Sequence, residues 1–493
     1  MSRINLKLVT LFGVMLLFAA ACGQKPGVAT GGLLPPGAEV NAQGQIVDAE
    51  TGEVLGTVEG GLGSTSGGSL GGSAIGGTTS GGSVSGGSTS GGTTSGGTTS
   101  GGTTSGGSSG GSAPPSSGGA TSTGVTSNLI KIGSHAPLTG AAPVPSGSAE
   151  KGSKLLWEWM KRNKQTVNGR DVEAILKNDN YNPSQAVAVC KEMVEKDEVF
   201  LLSGLAGTDQ IQACARYAAS VGVPYLSAGV TENGLTGLYN YFTTSMTYND
   251  QGPLLADMLV TKLGGKSEKN GVLMFDTPNF ADAHDGFMEG MQKQGGKVIY
   301  DRKVSKGAGQ TEAQTVIQEM SAAGIQNVYV LTSPVWYLQV LKAADTQNYK
   351  PQWLGVGISM TFDTVANVGC RGNGAIDKAK FFAPFPAWFD RNKFDAEYDK
   401  AMADVYGGQG DDFVWLGWGA SKQVRGLLEH AGKNLTREGF IAALEKVRNL
   451  KTGIMPTLNY ASNDHFGANE VHVNEARCSD NRWHTIQSFV SDF

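Results

Sequence analysis

From Leu129 onward, short apolar runs alternate with segments whose apolar residues recur every three to four positions. LIKIG (129–133) is a strand pattern ending in glycine. SAEKGSKLLWEWMKRNKQ follows as a helix, with Leu155, Leu156, Trp159 and Met160 on one face. DVEAILKN (171–178) alternates as a strand. Asn182-Pro183 then opens a helix, because asparagine caps a helix start well and proline fits the first turn. Strand EVFLLSG, helix DQIQACARYAASVG and strand VPYLSAG continue the series.

After a break near 244–252 the rhythm resumes. Helix QGPLLADMLVTKLG, strand NGVLMFD, helix ADAHDGFMEGMQKQG and strand KVIYDRKV come first. Helix EAQTVIQEMSAAG, strand NVYVLTS, helix PVWYLQVLKAAD and strand PQWLGVG complete it. Strands alternating with helices imply parallel sheets covered by helices on both faces. The rhythm occurs on each side of residue 249. The predicted fold is therefore α/β, with two doubly wound parallel-sheet lobes. In such sheets ligands bind outside the carboxyl ends of the strands. Two facing sheets make a cleft lined by HAPLTG, SGLAGTD, SAGVTENG, DTPNFAD, LTSPVW and GVGISM. Trp415 and Trp418, three residues apart, read as helix core.

The chain before Leu129 has a different character. Arg3 and Lys7 precede an apolar run from Leu8 to Phe18 and then AAAC. The run is shorter than the about 20 residues a spanning helix needs, so residues 1–21 read as a signal peptide. AAAC resembles a bacterial lipobox, with Ala19 where leucine is usual. It implies lipidation of Cys22, and several acyl chains anchor firmly. Residues 22–58 are expected to be mostly disordered, with a small hairpin within 39–56 as the one element. Residues 59–127 form a Gly/Ser/Thr tract, including GGTTSGGTTSGGTTSGG (91–107). It cannot bury enough apolar surface to offset its ordering entropy. As a leash it spans about 45 Å on average and about 230 Å at full stretch.

Charge and motifs narrow the function. The formal charge is −5, or −7 without Arg3 and Lys7, and no basic patch appears, so nucleic acid is not an expected partner. Four cysteines remain beyond Cys22, which allow three pairings. Cys190 and Cys214 lie in successive helices, and Cys370 and Cys478 in two late loops, so 190–214 and 370–478 are the expected disulfides of an exported protein. From Leu129 onward no CxxC, HExxH, GxSxG or GxxxxGK[ST] pattern occurs, so no metal, cofactor or catalytic set is expected. His135, Asp209, Glu232 and Asp276 are dispersed over the strand-end loops. Thr208, at a helix start, and Thr231, after the next strand, place hydroxyls where helix termini bind anions, or are simple caps.

The segment from Ile130 to Phe493 resembles the periplasmic solute-binding proteins of the branched-chain amino-acid type, type I. IKIGSHAPLTG, NDNYNPSQAVAVCKEMVEKDEVFLLSG, TDQIQACARYAASVGVPYLSAGVT, NYFTTSMTYNDQG and GIMPTLNYASNDHFG carry the resemblance. It implies two lobes, 129–248 with 382–464 and 249–381 with 465–493, joined by three crossings and closing by hinge motion. It further implies that Thr208, Gly229 and Thr231 hold a ligand's carboxylate and ammonium. Phe280, Ser333 to Trp336 and Gly357 to Ser359 fall on its other ligand loops. Two departures stand out: Gly357 is where an acid pairs with an amino acid's ammonium, and Pro145-Ser146 stands where a stacking tyrosine is common. A non-amino carboxylate or a small amide is as open as an amino acid. The implied partners are a small-molecule ligand, the permease subunits of an ABC importer, and the membrane through the lipid. The implied protein is a monomer, extracytoplasmic and not an enzyme; a sensor for a signalling partner is the alternative.

Overall fold

The computed structural model describes residues 122–140 and 142–493, together with three short strands near the N-terminus. Those strands are β1 (Ala38–Val40), β2 (Gln45–Asp48) and β3 (Val54–Thr57), paired antiparallel in the order β1-β2-β3. The expected hairpin thus gains a third strand. The signal peptide, Cys22 and nearly all of the Gly/Ser/Thr tract lie outside the described residues.

The first lobe starts with β4 (Leu129–Ala136), α1 (Ser146–Arg162), β5 (Asp171–Asn178) and α2 (Pro183–Glu195). β6 (Leu201–Gly204), α3 (Thr208–Ser220), β7 (Tyr225–Ser227) and β8 (Tyr241–Thr243) follow. Its five strands are all parallel, in the order β5-β4-β6-β7-β8. Asn182 caps α2, its side chain accepting from the Gln185 N–H at 3.0 Å, with Pro183 in the first turn.

The second lobe opens with α4 (Tyr248–Lys262), β9 (Asn270–Phe275), α5 (Ala281–Gln294), β10 (Val298–Val304) and α6 (Gln310–Ala323). It continues with β11 (Asn327–Leu331), α7 (Pro334–Thr346), β12 (Gln352–Gly355), α8 (Asp363–Gly369) and β13 (Lys380–Ala383). The chain then adds α9 (Glu397–Tyr406), α10 (Asp412–Ala431) and α11 (Arg437–Leu444) to the first lobe. It ends with β14 (Val471–Arg477) and β15 (Arg482–Val490) on the second sheet. That sheet runs β10-β9-β11-β12-β13-β14-β15 and is mixed, because β14 and β15 are antiparallel to their neighbours. The helical rhythm does not predict these two strands: an antiparallel return needs no helix between strands.

Helices α1 and α10 cover one face of the first sheet. Trp159 meets Trp418 edge-on at 5.8 Å, and Trp415 and Trp418 are fully buried, the indoles donating to Pro386 O and to Asp395. The buried Gln423 of α10 donates to Thr244 O at 2.9 Å and Pro456 O at 3.1 Å, tying two of the segments that pass between sheets to one helix. The cysteines pair as Cys190–Cys214 and Cys370–Cys478.

Candidate functional site

The carboxyl ends of β4, β6 and β7 lead into the loops that face the second lobe. After β6 the chain turns through Gly207, whose φ is 86°, into α3. Thr208 is the first residue of that helix, half-buried, and no side chain caps the helix start. Asp209 beside it forms an ion pair with Lys306, from the loop after β10, at 3.0 Å. Tyr181, in the turn after β5, lies against this pair. Burial raises its phenol, and Lys306, Asp209 and Asp179 are the charges that act on it.

The loop after β7 makes a second bridge. Thr231 is fully buried and its hydroxyl donates to Asp282 Oδ2, in the first turn of α5. The N–H groups of Glu232 and Asn233 donate to the same oxygen at 2.9 and 3.1 Å. Three donors on one loop thus converge on one carboxylate of the opposite lobe. Glu232 itself turns to Thr247, which donates to it at 2.7 Å; burial and the nearby Asp250 and Asp282 carboxylates raise its own carboxyl.

Tyr248 completes the wall. Its N–H donates to Val230 O, and its ring meets Phe280 edge-on at 5.9 Å. Its hydroxyl lies 3.8 Å from where a Cβ on Gly357 would stand. Burial pushes the phenol up to about 12. Gly357 has φ 110°, a conformation that only glycine adopts readily, so a side chain at this position would strain the backbone.

Phe280 and Gly357 therefore lie on either side of Tyr248, Thr231 is taken up by Asp282, and Thr208 stands next to the Asp209–Lys306 bridge. Three other expected residues do different work. Gly229 gives its N–H to Ser245 Oγ at 2.7 Å, and a Cβ there would run into the Ser245 and Met246 carbonyls. Ser333 caps α7, accepting from the Trp336 N–H at 3.3 Å. Trp336 is 3 % exposed, donates to Gly309 O and packs on Phe275 inside the second lobe. Tyr181, Tyr248, Asp282 and the Asp209–Lys306 pair are not legible in the sequence. Their partners lie 51 residues away for Thr231–Asp282 and 97 for Asp209–Lys306.

His135 is buried, hydrogen-bonding to Asp179 at 2.7 Å and to the Tyr225 hydroxyl at 2.6 Å. Among the described residues it forms with Cys190 and Cys214 the one group whose ligand atoms lie as close together as a metal site requires. The disulfide between those sulfurs leaves no thiolate to bind one. Asp209, Glu232 and Asp276 stay apart from it, with Asp276 exposed. No helix among the described residues is long and apolar enough to cross a membrane.

A periplasmic binding protein family matches residues 129–481, most of the chain. The chain belongs to that family. No curated protein matches this periplasmic binding protein. Solved structures share its fold. One is a solute-binding protein of an ABC transporter from R. palustris, in complex with benzoate. It is 18 % identical, covering 74 % of this chain and 98 % of that one, with a TM-score of 0.60. A fatty acid ABC transporter substrate-binding protein from Thermomonospora curvata is also 18 % identical, over 76 % and 96 %, with a TM-score of 0.63. A branched-chain amino acid transporter substrate-binding protein from Streptococcus pneumoniae, in complex with isoleucine, is 15 % identical over 73 % and 99 %, with a TM-score of 0.60. The type I two-lobe α/β fold is common to them.

Proposed function

We propose that this periplasmic binding protein is an extracytoplasmic receptor that closes its lobes on a small carboxylate-bearing solute and hands it to an ABC importer. The moving bodies are 129–248 with 382–464 and 249–381 with 465–493. Lipidation of Cys22 tethers them, and residues 59–127 act as leash. The observation that carries this reading is the facing of two sets of strand-end loops, joined across the gap by Thr231–Asp282 and Asp209–Lys306. Opposed loops bridged by a few polar contacts suit a closure that a ligand reinforces, since a ligand favours the state it binds better.

Thr208 and the uncapped start of α3 receive the carboxylate in this reading, with Tyr248 and Phe280 as the aromatic wall and Gly357 as close backbone. Gly229 and Ser333 hold their loops in shape. Native mass spectrometry of the chain purified from its own host is the test, with a co-purified small molecule as the expected result. Thr208→Ala should weaken calorimetric affinity for that molecule by about 0.5–3 kcal/mol, the range from an ordinary hydrogen bond to one with a charge. Unchanged affinity removes Thr208 from the site. A chemically altered ligand would overturn the receptor reading itself.

A further inference from the structure

Two helix starts meet where the lobes touch. Helix α8 lies between β12 and β13 of the second sheet, while α10 packs with α1 on the first. Asp363 is the first residue of α8, and Asp412 is the first of α10. The Asp363 N–H donates to Asp412 Oδ2, so a donor that its own helix leaves open is satisfied by the other lobe. The preceding Phe362 stacks on Phe413 at 3.9 Å. The Trp483 indole holds Phe362 to the second lobe by donating to its carbonyl at 3.1 Å. Asp412 is 7 % exposed, and Asp363 Oδ1 is buried without a hydrogen-bond partner.

The groups facing Asp412 are of its own sign. On α10, Asp411 stands beside it, capping the helix by accepting from the Val414 N–H at 3.0 Å and from the Ser148 hydroxyl of α1. On α8 there is Asp363. From the turn between β14 and β15, Arg482, His484 and Asp480 act on Asp363; Asp480 is bonded to His484 at 2.8 Å, and Arg482 lies over the Phe389 ring at 4.8 Å. Burial, Asp363 and Asp411 all favour the protonated form of Asp412, and only the backbone N–H groups of Asp363 and Phe413 oppose them. Drawing α8 away from α10 would open this pocket to water, where a carboxyl ionises readily.

We infer that lobe closure takes up a proton at Asp412, so that the receptor shuts more readily as the pH falls. The inference rests on the receptor reading above and adds the regulation of its closure. The closed state holds the proton up to about pH 8, whereas a hydrated Asp412 loses it near its ordinary 3.8. Between these values closure therefore weakens as pH rises, by at most about tenfold per pH unit for one proton.

Hydrogen exchange of the ligand-free full chain tests this at the Glu232 and Asn233 amides, which close on Asp282 of the other lobe. Burial raises the Glu232 and Asp250 carboxyls near that contact too, so the quantity to read is a difference between chains at the same pH. Asp412→Asn cannot ionise, and its side-chain oxygen can still accept from the Asp363 N–H. The ratio of its amide protection to that of the unchanged chain should grow at least about tenfold from pH 5 to 7. Asp363→Asn removes one like charge and leaves Asp412 buried. Its protection should still fall with pH but level off at a lower pH than in the unchanged chain. A ratio constant in pH overturns the inference; where Asp412→Asn does not fold, an Asp363→Asn profile that coincides with that of the unchanged chain overturns it. No ligand enters the measurement, so either result leaves the receptor reading standing. A folded chain with no co-purified molecule removes the receptor reading and leaves closure linked to the proton.

Discussion

Thr231 of the first lobe and Asp282 of the second are joined through the threonine hydroxyl, and the next two backbone N–H groups close on the same carboxylate oxygen. A loop whose hydroxyl and amides suit a ligand's anion is filled by an anion of the protein's own. Hydrogen bonds to a charged group contribute about 1.5–3 kcal/mol, so this contact biases the lobes toward closure. Asp282→Ala should therefore speed hydrogen exchange at the Glu232 and Asn233 amides of the ligand-free chain. Exchange as slow as in the unchanged chain would show that the contact does not hold the lobes.

Asp363 and Asp412 approach each other from opposite lobes. The Asp363 N–H donates to the Asp412 carboxylate, and Phe362 stacks on Phe413 at 3.9 Å beside them. Burial first, then the Asp363 and Asp411 carboxylates, pushes Asp412 up to about 8 from an ordinary 3.8. Burial raises Asp363 as well, and Arg482, His484 and Asp480 are the other charges near it. In the unfolded chain Asp412 ionises near 4, so between about pH 4 and 8 the folded state holds a proton that the unfolded state has lost. Stability from this group falls as pH rises through that window. The buried His472, lowered to about 4 by burial, acts in the opposite sense as pH drops. The readout is thus the difference between Asp412→Asn and the unchanged chain in denaturant midpoint. The variant should gain relative stability from pH 4 to 8, and a constant difference would refute the assignment.

The two disulfides close loops of very different size, with separations of 24 residues for Cys190–Cys214 and 108 for Cys370–Cys478. In the chain-entropy account, the longer loop should contribute about 1.3 kcal/mol more. Cys370→Ser together with Cys478→Ser should lower unfolding free energy by about 2–5 kcal/mol. That loss should exceed the loss for the 190–214 pair. The reverse order in matched urea melts would mean that native-state contacts, not loop closure, set the effect.

Cys22→Ser should move the full chain from the membrane pellet to the soluble fraction, since the acyl chains are the anchor in the proposed reading. A variant that still sediments with membranes would rule out lipid tethering through Cys22.

Parts of the fold that rest on neighbours in sequence were readable before the structure. The Asn182-Pro183 helix start depends on contacts within three residues, and the side chain caps as its type suggests. Trp415 and Trp418 share a face because of helical spacing, and that face is the one α1 covers. Strands β14 and β15 were not readable, because their partners are β13 and each other rather than a helix-linked neighbour. Tyr181 gave no sign either: it sits in a turn with φ 53°, and its neighbours Asp209 and Lys306 come from distant loops. Trp336 falls in the helix PVWYLQVLKAAD by pattern and on a ligand loop by resemblance, yet its indole packs into the second core.

The order of apolar and polar residues alone determined alternating strands and helices, hence parallel sheets and two lobes, because periodicity is a local property of the backbone. Tertiary structure alone decided that Asp282 fills the Thr231 loop, that Asp209 pairs with Lys306, and that Trp336 packs on Phe275. Each depends on groups brought together from distant parts of the chain, whose meeting no local pattern encodes.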